Sequence, residues 1–97
     1  MTVFAVEYVY AAESTEERNA TRPAHREWTA RLASEGALLA SGPYGDGAGA
    51  LLIFKAADEN ALNGILKQDP FAAANVIAGT RTTEWAPITG LLAEHAA

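Results

Sequence analysis

The chain has 97 residues and a mass of 10.2 kDa, room for one domain around one modest core. Apolar residues are 49% of it, but 22 of those 48 are alanine, so bulky core side chains are scarce and packing against a second copy of the chain is expected. Twelve acids against seven bases leave a net charge of −5, a poor match to nucleic acid or an anionic membrane, and the absence of cysteine excludes disulfides and thiolate-bound metals.

In chain order, residues 2–10 (TVFAVEYVY) predict a strand, with Phe4, Val6, Tyr8 and Tyr10 on one face and Val3, Ala5, Glu7 and Val9 on the other. The apolar start superficially resembles a signal peptide. It has no basic leader region and carries Glu7 inside the run, so the strand reading and a cytoplasmic location are preferred. Residues 11–21 are polar and irregular, with a helical turn around Ser14–Asn19. Pro23 suits the first position of a helix, because its missing N–H needs no partner there. A helix is predicted from Pro23 to a stop at Gly36, burying Ala24, Trp28, Leu32 and Ala33 and exposing Arg26, Glu27 and Arg31.

A short strand over 37–41 follows, stopped by Gly42-Pro43. The glycine-rich GPYGDGAG reads as a hairpin loop leading to a third strand over 50–56. Asp58 is placed to cap a second helix whose apolar face is Ala61, Leu62, Ile65 and Leu66. Asp69-Pro70-Phe71 opens a turn or short helix through Asn75, and residues 76–85 form the last strand, closed by Pro87. The domain is assigned to residues 1–87, with a C-terminal tail over 88–97. The β-α-β-β-α-β order predicts an α+β ferredoxin-like fold, an antiparallel sheet with helices on one face. Its other face would leave Val3, Ala5 and Val9 against water, which predicts a homodimer through that face.

Few residues have the chemistry for a site. His25 falls at the edge of the predicted helix's buried stripe. The partial positive charge of a helix N-terminus disfavours a second proton on the ring, and a neutral imidazole is what a general base requires. On position alone, a helix-edge histidine bonded to a nearby loop is the more ordinary reading. Asp69 could be a plain N-cap, or a carboxylate that orients an imidazole; a capping aspartate has a second oxygen free for the latter. Arg18, Arg22 and Arg26 recur every four residues beside His25. Facing inward, Arg22 would offer a fixed charge to a carboxylate or enolate; facing outward, the row would pair with Glu13, Glu17 and Glu27. Ser41 brings a hydroxyl to a strand end, where it could also be only a turn residue. Two histidines are too few for a His-rich metal site, and no phosphate-binding or dinucleotide-binding glycine motif is present.

Taken in order, Arg18-x-x-x-Arg22-Pro23-Ala24-His25, the Gly36 stop, Ser41-Gly42-Pro43, Asp69-Pro70-Phe71 and Trp85 before Pro87 resemble the YciI-like (YCII-related) family over about residues 2–87. The resemblance implies a dimeric ferredoxin-like α+β barrel akin to muconolactone isomerases. It implies a His–Asp pair in each subunit's pocket, here His25 and Asp69 as catalytic residues, with Arg22 and Ser41 at substrate-lining positions. No cofactor and no metal are expected. Part of that family has dehydrochlorinase or lyase-type activity on hydroxylated aromatics. The expectation is therefore a cofactor-free acid–base enzyme (lyase, isomerase or dehydrohalogenase) acting on a small aromatic or enolisable molecule. The alternatives are a ligand-binding or regulatory module without turnover, and a ferredoxin-like quinol monooxygenase.

Overall fold

The computed structural model describes residues 1–96. Strand β1 (Thr2–Tyr10) is followed by helix α1 (Thr15–Ser34), the hairpin of β2 (Leu38–Pro43) and β3 (Gly49–Ala56), helices α2 (Glu59–Leu66) and α3 (Pro70–Ala73), and strand β4 (Ile77–Glu84). The four strands form one antiparallel sheet in the order β2-β3-β1-β4, the ferredoxin-like arrangement expected from the element order. Alternation along the strands sorts the two faces. Phe4, Val6 and Tyr8 of β1 and Leu52, Phe54 and Ala56 of β3 point into the core, where Trp28 and Leu32 of α1 and Leu62 of α2 cover them.

Helix α1 departs from expectation. It begins at Thr15 rather than Pro23, so Pro23 lies inside it and the segment around Ser14–Asn19 is full helix. An interior proline removes one helical hydrogen bond and costs about 3 kcal/mol. Several features of the first turns offset this. Glu16 and Glu17 face the helix's positive end, the Arg18 N–H bonds the Ser14 carbonyl at 2.8 Å, and the Arg18 guanidinium lies over the Tyr10 ring of β1. Ser14 itself is buried and turns its hydroxyl to the Ala11 carbonyl instead of capping the helix. Of the predicted buried stripe, Trp28 and Leu32 are buried and Ala24 and Ala33 are exposed. The stop at Gly36 is as expected. Gly36 adopts φ +83°, its N–H bonds the Ala33 carbonyl and the next N–H bonds Leu32, a pair of bonds that closes the helix and favours glycine.

The open face of the sheet also differs. Val9 is exposed, but Val3 and Ile53 are buried within the single chain. Lys55, directly across from Val3, donates to Nδ1 of His95 at 3.3 Å, and Pro87 is buried. The chain's own segment after β4 thus shields the Val3–Lys55 end of this face. Val9, Leu51, Ile88 and Leu91 remain exposed. Among the described residues, no helix is long and apolar enough to cross a membrane.

Candidate functional site

The short α3 is built for two jobs. Asp69 has extended backbone and caps the helix, its Oδ1 accepting from the Phe71 N–H at 2.9 Å, while Pro70 starts the first turn. The same Oδ1 lies 2.7 Å from Nδ1 of His25, 44 residues away on α1. Phe71, two residues further on, stacks on the imidazole with ring centres 4.0 Å apart and planes within 4° of parallel. Asp-Pro-Phe therefore fixes His25 both edgewise and face-on.

Asp69 is completely buried. Its other oxygen, Oδ2, accepts from the Tyr8 hydroxyl at 2.7 Å, so the carboxylate has three partners: Tyr8, Phe71 and His25. A buried carboxylate needs such company, since an unsatisfied one is expensive. Tyr8 is held protonated: burial raises its pKa far above the ordinary value, and the adjacent Asp69 charge and hydrogen bond add to this. A carboxylate only accepts, so Nδ1 of His25 donates and Nε2 is the ring's free nitrogen.

The ring forms part of the wall of an open cavity of about 500 Å³ between α1 and the β2–β3 hairpin. Arg18, Arg22, Arg26 and Thr29 contribute from α1, Ser41, Gly42 and Pro43 from β2, and Tyr10, Leu52 and Phe71 supply apolar surface. The structure thus brings His25, Arg22 and Ser41 to one cavity, with Asp69 behind the histidine. Two local expectations are corrected. His25 is well inside a 20-residue helix, so the helix-end charge does not act on it and Asp69 is its principal electrostatic partner. Ser41 is within β2, paired opposite Leu52, because pairing with β3 continues through Gly42 and Pro43. Glu7 lies on the opposite face and accepts from the Tyr44 hydroxyl at 2.7 Å, which raises the Tyr44 pKa through that bond.

Phe71 enters the sequence reading only as part of the Asp69-Pro70-Phe71 motif, and Tyr8 and Tyr10 only as members of the inward row, none with a role in the site. The available signal was two hydroxyl-bearing rings continuing the inward row that Phe4 and Val6 begin, since buried phenols usually find partners. Among the described residues, no three His, Asp or Glu side chains cluster as metal ligands.

Sheet and helices define a ferredoxin-like α+β domain, with a buried carboxylate–histidine pair beside an open cavity. The model of the YCII-related domain matches residues 2–86, and the chain belongs to that family. Among solved structures it is similar to the 5-chloro-2-hydroxyhydroquinone dehydrochlorinase of Burkholderia phenoliruptrix, determined in complex with 2,5-dihydroxybenzoquinone. The TM-score is 0.76 and the identity 23%, over 86% of this chain and 92% of that one. An antibiotic biosynthesis monooxygenase shares the fold with a TM-score of 0.60 and 13% identity, over 92% of this chain and 100% of that one. No curated protein sequence matches the chain.

Proposed function

We propose that the protein is a cofactor-free acid–base enzyme of the lyase, isomerase or dehydrohalogenase type, acting on a small aromatic or enolisable molecule. The observation that carries this reading is the buried Asp69 bonded to Nδ1 of a histidine whose ring lines the cavity. In this reading Nε2 of His25 removes a proton next to a carbonyl or from a phenol. Asp69 holds the tautomer and steadies the imidazolium, and Arg22 and Ser41 meet the oxygen on which charge develops. A dehydrochlorinase of the same fold gives the reaction class a precedent. We further propose a homodimer through the part of the open face left bare, around Val9 and Leu51.

The test is a turnover screen of hydroxylated aromatics and small enolisable acids with wild type and His25→Ala. Turnover with a pH dependence, lowered about 10³-fold or more by the substitution while the fold and assembly persist, is expected. Ligand binding without turnover in either protein would replace the enzyme with a binding module. Oxygen uptake with quinols would replace it with a monooxygenase. Light scattering at micromolar concentration should give twice the chain mass; a particle of one chain would remove the dimer.

A further inference from the structure

In a chain with five arginines and 12 acids, three of the arginines, Arg18, Arg22 and Arg26, line the cavity beside His25, and no aspartate or glutamate does. Among the described residues, the ion pairs within 4.0 Å are His25–Asp69 and His95–Glu94, so none of the three is neutralised by a carboxylate. The row sits at i, i+4 and i+8 of one continuous helix, where like charges repel. Glu13, Glu17 and Glu27, near in sequence, do not pair with it. Two of the guanidiniums are nonetheless held in place. Arg18 lies with its carbon 4.4 Å from the centre of the Tyr10 ring, bonds Ser14 Oγ through Nη1, and has a buried Nε–H without a partner. Arg22 is tied to Asn19 Oδ1. Arg26 is exposed.

We propose that the cavity takes a small organic dianion, its anionic oxygens on the Arg18–Arg22–Arg26 row. One carboxylate occupies one guanidinium fork or bridges two, so a row of three has capacity for a second anionic group. Phe71 is buried against His25 and the Tyr10 ring carries Arg18, so the aromatic residues of the wall support the charged row rather than the ligand. The acidic remainder of the surface repels such a ligand, while the row concentrates positive potential at this one place. The inference rests on reading this cavity as the substrate site, and not on the chemistry assigned to His25.

Calorimetric titration at matched ionic strength and near neutral pH compares terephthalate (a dianion), benzoate (a monoanion) and hydroquinone (neutral). Terephthalate should bind roughly 10-fold or more tightly than either of the others, and more weakly as salt rises. Arg22→Gln and Arg26→Gln should each weaken terephthalate by roughly 10-fold, with Arg26, being exposed, the variant least able to disturb the fold. Arg31→Gln, on the same helix but outside the cavity, should leave binding within about threefold. Hydroquinone binding as tightly as terephthalate, or Arg31→Gln weakening it as much as Arg26→Gln, would overturn the proposal. Dianion binding without turnover of any compound would sustain it while removing the acid–base reading. Turnover of neutral phenols without salt dependence would do the reverse.

Discussion

The inward face of β1 has two ends that obey the same alternation and serve different purposes. At one end Phe4 and Val6 meet Phe54, Leu52 and Leu62, and the contacts are hydrocarbon only. At the other, Tyr8 and Tyr10 keep the same orientation but carry hydroxyls. Tyr8 reaches Asp69, and Tyr10 lies beneath Arg18 and edge-on to Phe71 at 6.1 Å. The first end holds the helices to the sheet, and the second spends part of that packing surface on holding a carboxylate, an imidazole and a guanidinium in place. The comparison teaches that the site is an extension of the core rather than an addition at its edge. Its geometry should be stiff, and mutations at the two ends should separate stability from chemistry.

The largest separation is expected from Phe54→Ala at the hydrocarbon end. Phe54 is fully buried, with Trp28 at 6.2 Å between ring centres. Truncating a buried phenylalanine costs about 3–5 kcal/mol, which in a domain of this size lowers Tm by well over 10 °C, roughly. Where the variant still folds, binding in the cavity should be close to wild type. A variant with normal stability and lost binding would reverse the assignment of the two ends.

Asp69→Asn probes the polar end. Asparagine still caps α3 through its carbonyl oxygen and fills the same volume, but its amide nitrogen replaces the oxygen that accepts from the Tyr8 hydroxyl, so stability should fall by about 1–3 kcal/mol. The negative charge behind His25 is gone, however, and turnover should fall by about 10²-fold or more. Ring ¹⁵N shifts should show Nδ1 protonated and Nε2 bare in the wild type and in the variant alike, because the oxygen that caps α3 is the one that accepts from Nδ1. Turnover unchanged beside such spectra would mean that the charge of Asp69 does not assist His25.

Much of this site was legible in the sequence because its parts depend on local chemistry. Asp before Pro favours a helix cap, the arginine spacing is a property of any helix, and alternation alone orders the faces of β1. What was not legible depends on contacts distant in sequence. Pro23 marks a helix start by its own propensities, and only the seating of Arg18 on Tyr10 shows why α1 continues upstream through it. The shielding of Val3 depends on a segment some 90 residues later, for which no periodicity gives notice. Gly49 is similar: a Cβ there would stand 1.9 Å from the Tyr8 carbonyl, a close approach of β3 to β1 that its place in a glycine-rich loop does not reveal.

Tyr8 joins the two ends, and Tyr8→Phe is expected to give the smallest and most specific effect. Near neutral pH the variant loses the donor to Asp69 Oδ2, and the unpartnered buried oxygen should cost about 1–3 kcal/mol. The cost should change with pH in a predictable direction. A tyrosine in the unfolded chain ionises near a pKa of about 10, whereas burial, the Asp69 charge and the hydrogen bond keep Tyr8 protonated far beyond that in the folded chain. Above about pH 10 the unfolded state therefore binds fewer protons than the folded one. Wild-type stability falls with rising pH, by up to about 1.4 kcal/mol per pH unit from this residue. The contribution is fully present below the unfolded pKa and is lost as pH rises towards the folded one. Tyr10, raised chiefly by burial against the opposing charges of Arg18 and Arg22, and Tyr44, raised by its bond to Glu7, supply a background slope common to both proteins. Urea midpoints measured from neutral into alkaline pH should thus begin apart and converge, because only the wild type has the Tyr8 proton to lose on unfolding. Parallel curves would mean that Tyr8 ionises alike in both states and that its hydroxyl does not hold Asp69.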